Sequence, residues 1–289
     1  MTAIPRPQAP MDLRLLLDEP IAVVRDHLRS LLPIALVGGL LASLPNQFYL
    51  LFVGMPSFDP MSGAGLGALG AFYVIAFVAF CLQAYTQLAL FWALRQRLDG
   101  HEVGVVRAFA GVARLSWLGA LAAKYMIYLA SACFCTIPIL YFGITLAPLD
   151  AVIVHEDTGW FSAIGRCIRL SHFAPRTGRF TATITRIVIA WHAIGLVMLA
   201  VGGIAAMPAA VLSWMQAWRG LTTGLTDPSA MMLPAAISMP LNLLSTMGWA
   251  VAGLYPVALF TVLYRDVRDV SEGLDLQAAI AARLGRHPG

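Results

Sequence analysis

Apolar residues in this chain gather into long unbroken runs, and nearly all the charge lies in the short stretches between them. A hydrocarbon core of about 30 Å needs roughly 20 helical residues at 1.5 Å each, and six segments meet that length. They are Leu31–Gly54, Ala68–Leu94, Ser116–Cys135, Ile137–His155, Thr181–Met207 and Leu233–Tyr264. The composition agrees: 59% of residues are hydrophobic, 12% are charged and the mean hydropathy is +0.77, whereas a soluble domain carries about 25% charged residues. An outer-membrane barrel needs alternating stretches of about ten residues, which these runs are not. The expected fold is all-α: a polytopic helical membrane protein with about six transmembrane helices and amphipathic interfacial helices.

Charge placement orients the spans. Arg6, Arg14, Arg25 and Arg29 precede the first, and Met55 to Gly67 after it has no basic residue. Arg95, Arg97, Arg107 and Arg114 fill the next loop, and Arg166, Arg169, Arg176 and Arg179 follow His155. Short loops rich in arginine stay inside, so an even number of crossings must separate these two. Residues 116–155 therefore form a tight hairpin turning near Thr136 and Pro138. Arg219 alone faces outward, and Arg265, Arg268, Arg283 and Arg286 hold the tail inside. Both termini are expected in the cytoplasm of a bacterial cell with this cytoplasmic (inner) membrane. Met1 to Pro20 lacks the apolar core and small-residue site of a cleaved signal peptide. The organisation read from this is one integral membrane domain over 1–289: a cytoplasmic amphipathic segment 1–30, six spans over 31–264, and a cytoplasmic tail helix over 265–289.

A pI near 9.0 suggests nucleic acid as a partner, but the basic residues follow the topology and form no nucleic-acid footprint. No nucleic-acid partner is expected; anionic lipid headgroups at the inner face are. Asp18 to Arg25, Asp99 to Arg107 and Asp157 to Arg166 each open with an acid and place an arginine further along, the pattern of a surface helix before each outward-going span. Glu156 and Asp157 read as first-turn acids of the third. Trp214 and Trp218 share one face of an outer interfacial helix, and Leu276, Ile280 and Leu284 give the tail an apolar face.

Motifs with chemistry are few. Gly65, Gly67 and Gly70 spell GxGxxG without the strand a dinucleotide site needs, and Gly63, Gly67 and Ala71 form a small-residue row suited to close helix packing. No cofactor is expected. Cys133 and Cys135 have no His or acid nearby, and the His101–Glu102 and His155–Glu156 dipeptides lack a second ligand at helical spacing, so no metal site is expected either. Lys124, the only lysine, lies about 12 Å into the third span, and Asp150 lies about 8 Å from the inner end of the fourth. Each is costly in lipid unless paired or hydrated, so the reading is a pair that closes the hairpin, with a lined substrate or proton path as the functional alternative. Gln83, Gln87, Arg186, His192 and Asn242 place further polar groups in spans two, five and six, where they line a cavity or bond between helices. Nothing has the spacing of a catalytic set.

The end of the last span reads Tyr264-Arg265-Asp266-Val267-Arg268, then Glu272-Gly273-Leu274-Asp275. With Ala147-Pro148, His155-Glu156-Asp157-Thr158-Gly159 and Leu170-Ser171, this resembles the membrane domain of bacterial glycerophosphodiester phosphodiesterases and its stand-alone six-span relatives. Their catalytic domain is absent from these 289 residues, so the resemblance implies a membrane fold and no hydrolase activity. From the residues themselves, Tyr264 is expected to anchor at the interface while Asp266, Glu272 and Asp275 pair with arginines or cap the tail. The function that follows is a non-enzymatic accessory or scaffold component of a membrane transport or envelope-lipid process, possessing a protein partner in that complex. The alternative is a transporter or exporter subunit for a lipid or small hydrophobic molecule.

The topology is open to direct measurement. Reporter fusions after Arg29, Arg114 and Arg283 are expected to read cytoplasmic and a fusion after Arg219 external; an external reading at Arg283 overturns the six-span count.

Overall fold

A computed structural model describes residues 11–52, 63–134, 136–173, 182–222 and 234–283. Among them there is no strand; the helices are α1 (Leu13–Phe52), α2 (Gly63–Leu98), α3 (Val105–Gly111), α4 (Leu115–Phe134), α5 (Thr136–Thr145), α6 (Leu149–Glu156), α7 (Trp160–Ser171), α8 (Thr183–Thr222), α9 (Ala235–Ala252) and α10 (Leu254–Arg283). Five stretches are long and apolar enough to cross a bilayer: Leu13–Pro45, Gly70–Leu98, Ile137–Glu156, Thr183–Gly220 and Ala236–Gly273. α3 taken with α4 as one broken span makes six. The chain is a multi-pass integral membrane protein.

Several segments join or divide differently from the reading of the charges. Asp18 to Arg25 is no separate surface helix but the start of α1, because local charge does not interrupt helical hydrogen bonding. The segment with Trp214 and Trp218 likewise continues α8 through Pro208; prolines are tolerated within membrane helices when neighbours satisfy the freed carbonyl. At 40 residues, α8 is about 60 Å long, roughly twice the hydrocarbon thickness. Its two indoles stack with centroids 5.9 Å apart. The tail helix is a continuation too, since α10 runs unbroken to Arg283. The expected sixth span instead breaks at Gly253, ahead of Pro256, whose missing N–H and ring prevent a helical bond to the carbonyl of Ala252. Asp157 opens no helix: it closes α6 in a left-handed conformation with φ 54°, and Glu156 is the last residue of α6.

The chain packs as two compact units. The unit of residues 27–112 and 195–254 is held by small residues at helix crossings. A Cβ on Gly38 would lie 2.0 Å from Thr86 Cγ2, one on Gly39 2.8 Å from Ala250, and one on Gly248 2.0 Å from Ala205. Between apolar helices in lipid, close approach of this kind replaces the hydrophobic drive of a soluble core. Of the expected row, Gly67 meets nothing within 4 Å, as does nearby Gly70, and Gly63 lies outside the described side chains. Around Gly100, with φ 82°, α2 turns into α3, and the Tyr85 hydroxyl donates to the Phe109 carbonyl at 2.6 Å.

The unit of residues 1–26, 113–194 and 255–289 contains the hairpin. A single residue separates α4 from α5, and both α5 and α6 pack against α4. All six residues from Leu149 to Val154 are buried, so α6 is enclosed on every side. Amphipathic α7 covers α4 and α6 with Ala163, Ile164, Cys167 and Leu170, leaving Phe161 exposed. α7 enters so close to α4 that a Cβ on Gly159 would stand 2.4 Å from the Ser116 carbonyl oxygen.

That contact generates a paired prediction. Gly159→Ala pushes on backbone and is expected to destabilise the protein by about 1–3 kcal/mol. Gly165→Ala, on the same helix with nothing within 4 Å, is expected to stabilise it by up to about 1 kcal/mol. Unfolding in detergent micelles measures both; similar values for the two would mean that α7 does not dock as described.

Candidate functional site

Lys124 projects from the middle of α4, and Asp150 occupies the first turn of α6, where unpaired backbone N–H groups favour an anion. The ammonium donates to both carboxylate oxygens, at 3.2 Å to Oδ1 and 3.1 Å to Oδ2. Both side chains are only 8% exposed. Removing one member of such a pair strands a charge in a low dielectric, which is the costly case. The Tyr125 ring lies 5.8 Å from the ammonium and adds a weak cation–π contact.

A second polar layer joins the C-terminal end of α6 to α7 and α10. Glu156 accepts from Arg166 Nε at 2.8 Å and from the Tyr264 hydroxyl at 3.0 Å. Arg166 also reaches Glu272 at 3.3 Å, and Arg268 donates to Glu272 at 2.8 Å. The bond to Glu156 raises the Arg166 pKa above its ordinary value. Tyr264 stacks on His155 with centroids 5.1 Å apart. Tyr264 is thus no interfacial anchor: at 3% exposure it is a buried donor. Beside it, Asp266 accepts from the Met11 backbone N–H at 2.9 Å and pairs with Arg186, whose Nη2 donates to the Met11 carbonyl at 3.2 Å. The chain just ahead of α1 is thereby tied to α8 and α10. Arg114 and Trp117 Nε1 both donate to Asp157.

The closing motif therefore reads as a set of ties between helices, Tyr264 to α6, Asp266 to α8 and Glu272 to α7, with Arg268 bracing Glu272 from within α10. Gly273 meets nothing within 4 Å, and the side chain of Asp275 lies outside the described residues. Cys133 and Cys135 also fall outside the described side chains. Cys167 is buried and donates to the Thr145 carbonyl at 3.2 Å; burial pushes its thiol up to about 12, so it stays protonated near neutral pH.

The polar residues of spans two, five and six divide between the units. Gln83, Gln87 and Asn242 belong to one, Arg186 and His192 to the other. Asn242 is exposed, Gln83 and Gln87 are half-buried, and Arg186 is taken by Asp266. His192 lines a groove that the sequence does not reveal. Its walls are Tyr128 of α4, Ile139, Leu140, Gly143 and Ile144 of α5, and Val188 and Trp191 of α8, enclosing about 480 Å³. No pattern along one segment marks it, since three helices contribute and most of its lining is ordinary span sequence. A Tyr141–His172 hydrogen bond of 3.2 Å, with His172 Nδ1 2.9 Å from the Ile168 carbonyl, was likewise not legible.

Among the described residues no three His, Cys, Asp or Glu side chains cluster as a metal site would require. Glu102 and Glu156 of the two His-Glu dipeptides pair with Arg97 and Arg166. No family model, curated protein or solved structure matches the chain.

Lys124→Met or Asp150→Leu alone is expected to destabilise the protein by about 3–5 kcal/mol, while the double replacement, which removes both charges, returns close to the native value. The exchanged pair, Lys124→Asp with Asp150→Lys, is expected to recover part of the loss. Thermal unfolding in micelles decides; a double variant no better than the worse single would show that the two groups do not act as one unit.

Proposed function

We propose that this chain is a non-enzymatic accessory or scaffold component of a membrane transport or envelope-lipid process. It resides in the bacterial cytoplasmic membrane with both termini inside. The observation that carries the reading is the closure of its charged groups on one another. Lys124 is spent on Asp150, Arg186 on Asp266, and Arg166 and Arg268 on Glu156 and Glu272. Groups committed to such pairs brace the helices against each other and hold α7 in place. What is left to meet other molecules is a surface: Phe161 at 75% exposure and the exposed Arg169 on α7, with Arg265 exposed elsewhere in the same unit. An apolar side chain beside arginines suits anionic headgroups, with each arginine near such a surface contributing about 1 kcal/mol. The closing motif's resemblance to the phosphodiesterase-associated membrane domain supports a role beside envelope-lipid chemistry.

A second reading, a transporter or exporter subunit for a lipid or small hydrophobic molecule, is favoured by one feature, the apolar groove on α4, α5 and α8.

Native mass spectrometry of the protein released gently from its own membrane separates the two. The scaffold reading expects a stoichiometric protein partner together with anionic lipid, and loss of that lipid in Arg169→Ala with Arg265→Ala. A monomer or homo-oligomer that holds one defined hydrophobic molecule and no partner would overturn it in favour of the transporter.

A further inference from the structure

We infer that the groove on α4, α5 and α8 is a binding site for a single-chain amphiphile whose head is a hydroxyl or carboxyl group. This concerns binding at the groove and holds whether the chain scaffolds or transports. The volume of about 480 Å³ falls within the range of roughly 300–1,000 Å³ typical of small-molecule sites. Gly143 faces open space: a Cβ there would meet nothing within 4 Å, so a side chain at this position would enter the groove without displacing a neighbour.

Two lining groups specify the head. His192 Nδ1 lies 2.8 Å from the Val188 carbonyl. A carbonyl can only accept, so Nδ1 carries the proton, and Nε2 of the neutral ring is an acceptor. Neither Nε2 nor the Tyr128 hydroxyl has a hydrogen-bond partner among the described residues. Tyr128 lies thirteen residues into α4 and His192 nine into α8, or about 20 Å and 13 Å along the helices. Both helices belong to stretches apolar enough to cross a bilayer, where an unsatisfied polar group is costly. The methylenes of a diacyl phospholipid, whose headgroup stays at the interface, neither accept from Tyr128 nor donate to His192. A hydroxyl or carboxylic acid supplies both an acceptor and a donor, on a single chain that the apolar walls of Ile139, Leu140, Ile144 and Val188 accommodate.

Trp191, half exposed on the groove wall, supplies the readout. The full chain in phosphatidylcholine nanodiscs is titrated with 9,10-dibromostearic acid, with the corresponding brominated alcohol, or with phosphatidylcholine carrying the same brominated chain, and the quenching assigned to Trp191 is obtained by difference from Trp191→Phe. The acid or the alcohol is expected to quench at a mole fraction at least tenfold below the phospholipid, and the better of the two identifies the head. Tyr128→Phe with His192→Leu is expected to erase that preference, and Gly143→Leu, which fills the space, to abolish saturable quenching. Equal curves for single-chain and phospholipid probes, or a preference untouched by the Tyr128→Phe and His192→Leu changes, overturns the inference. If the double variant loses its helical circular dichroism, Tyr128→Phe alone, which removes one oxygen, decides.

Discussion

An aspartate enclosed at the start of α6 governs the arrangement of its neighbours. Every residue from Leu149 to Val154 is buried, and the Asp150 side chain, only 8% exposed, finds its counter-charge within the protein. Lys124 lies on α4, which packs against α6, and its stem brings the ammonium to both carboxylate oxygens. In energetic terms a buried pair is often no better than two well-packed apolar residues. Its contribution is register: a slip of α6 along α4 strands two charges at once, so one alignment is favoured over its neighbours. α5 then forms the first part of the returning span, and α7 has a defined surface to cover.

The second layer works differently. Arg166, Arg268 and Glu272 are partly exposed, and pairs of that kind contribute little one by one, about 0–1 kcal/mol each. Arg186 and Asp266 are not: their side chains are 3% and 9% exposed, and both also bond to the backbone of Met11. One tie is therefore buried and the others partly exposed, and together they join α6, α7, α8 and α10. A short motif at the end of the last span can consequently organise a whole unit, because Tyr264, Asp266 and Glu272 each reach a different helix.

What could be read along the chain depended on how local the cause was. Lys124 and Asp150 stood out because a charge inside an apolar run is conspicuous, and the hairpin implied by the arginine loops put them on facing helices. The acids and arginines of the closing motif were recognisable as pairing groups, but their partners Glu156, Arg166, Arg186 and Met11 are remote in sequence. Tyr264 was misread for the same reason: at a span end a tyrosine resembles an anchor until Glu156 is seen beside it. The segments around Asp18, Trp214 and Leu276 were read as separate helices because their amphipathic pattern changes there. A helix has no cause to stop where its surroundings change unless its hydrogen bonding is interrupted, as at Pro256.

By itself the sequence determined the solvent, the all-helical class and the five to six segments able to cross, since runs of about 20 apolar residues leave a chain in lipid no option but to satisfy its backbone internally. Tertiary structure alone decided which acid meets which base, which glycines sit at crossings, and that Gly143, Tyr128 and His192 share a groove. Those outcomes depend on the rotation and depth of one helix against another, which side-chain volumes and charge pairs set only when the helices are side by side.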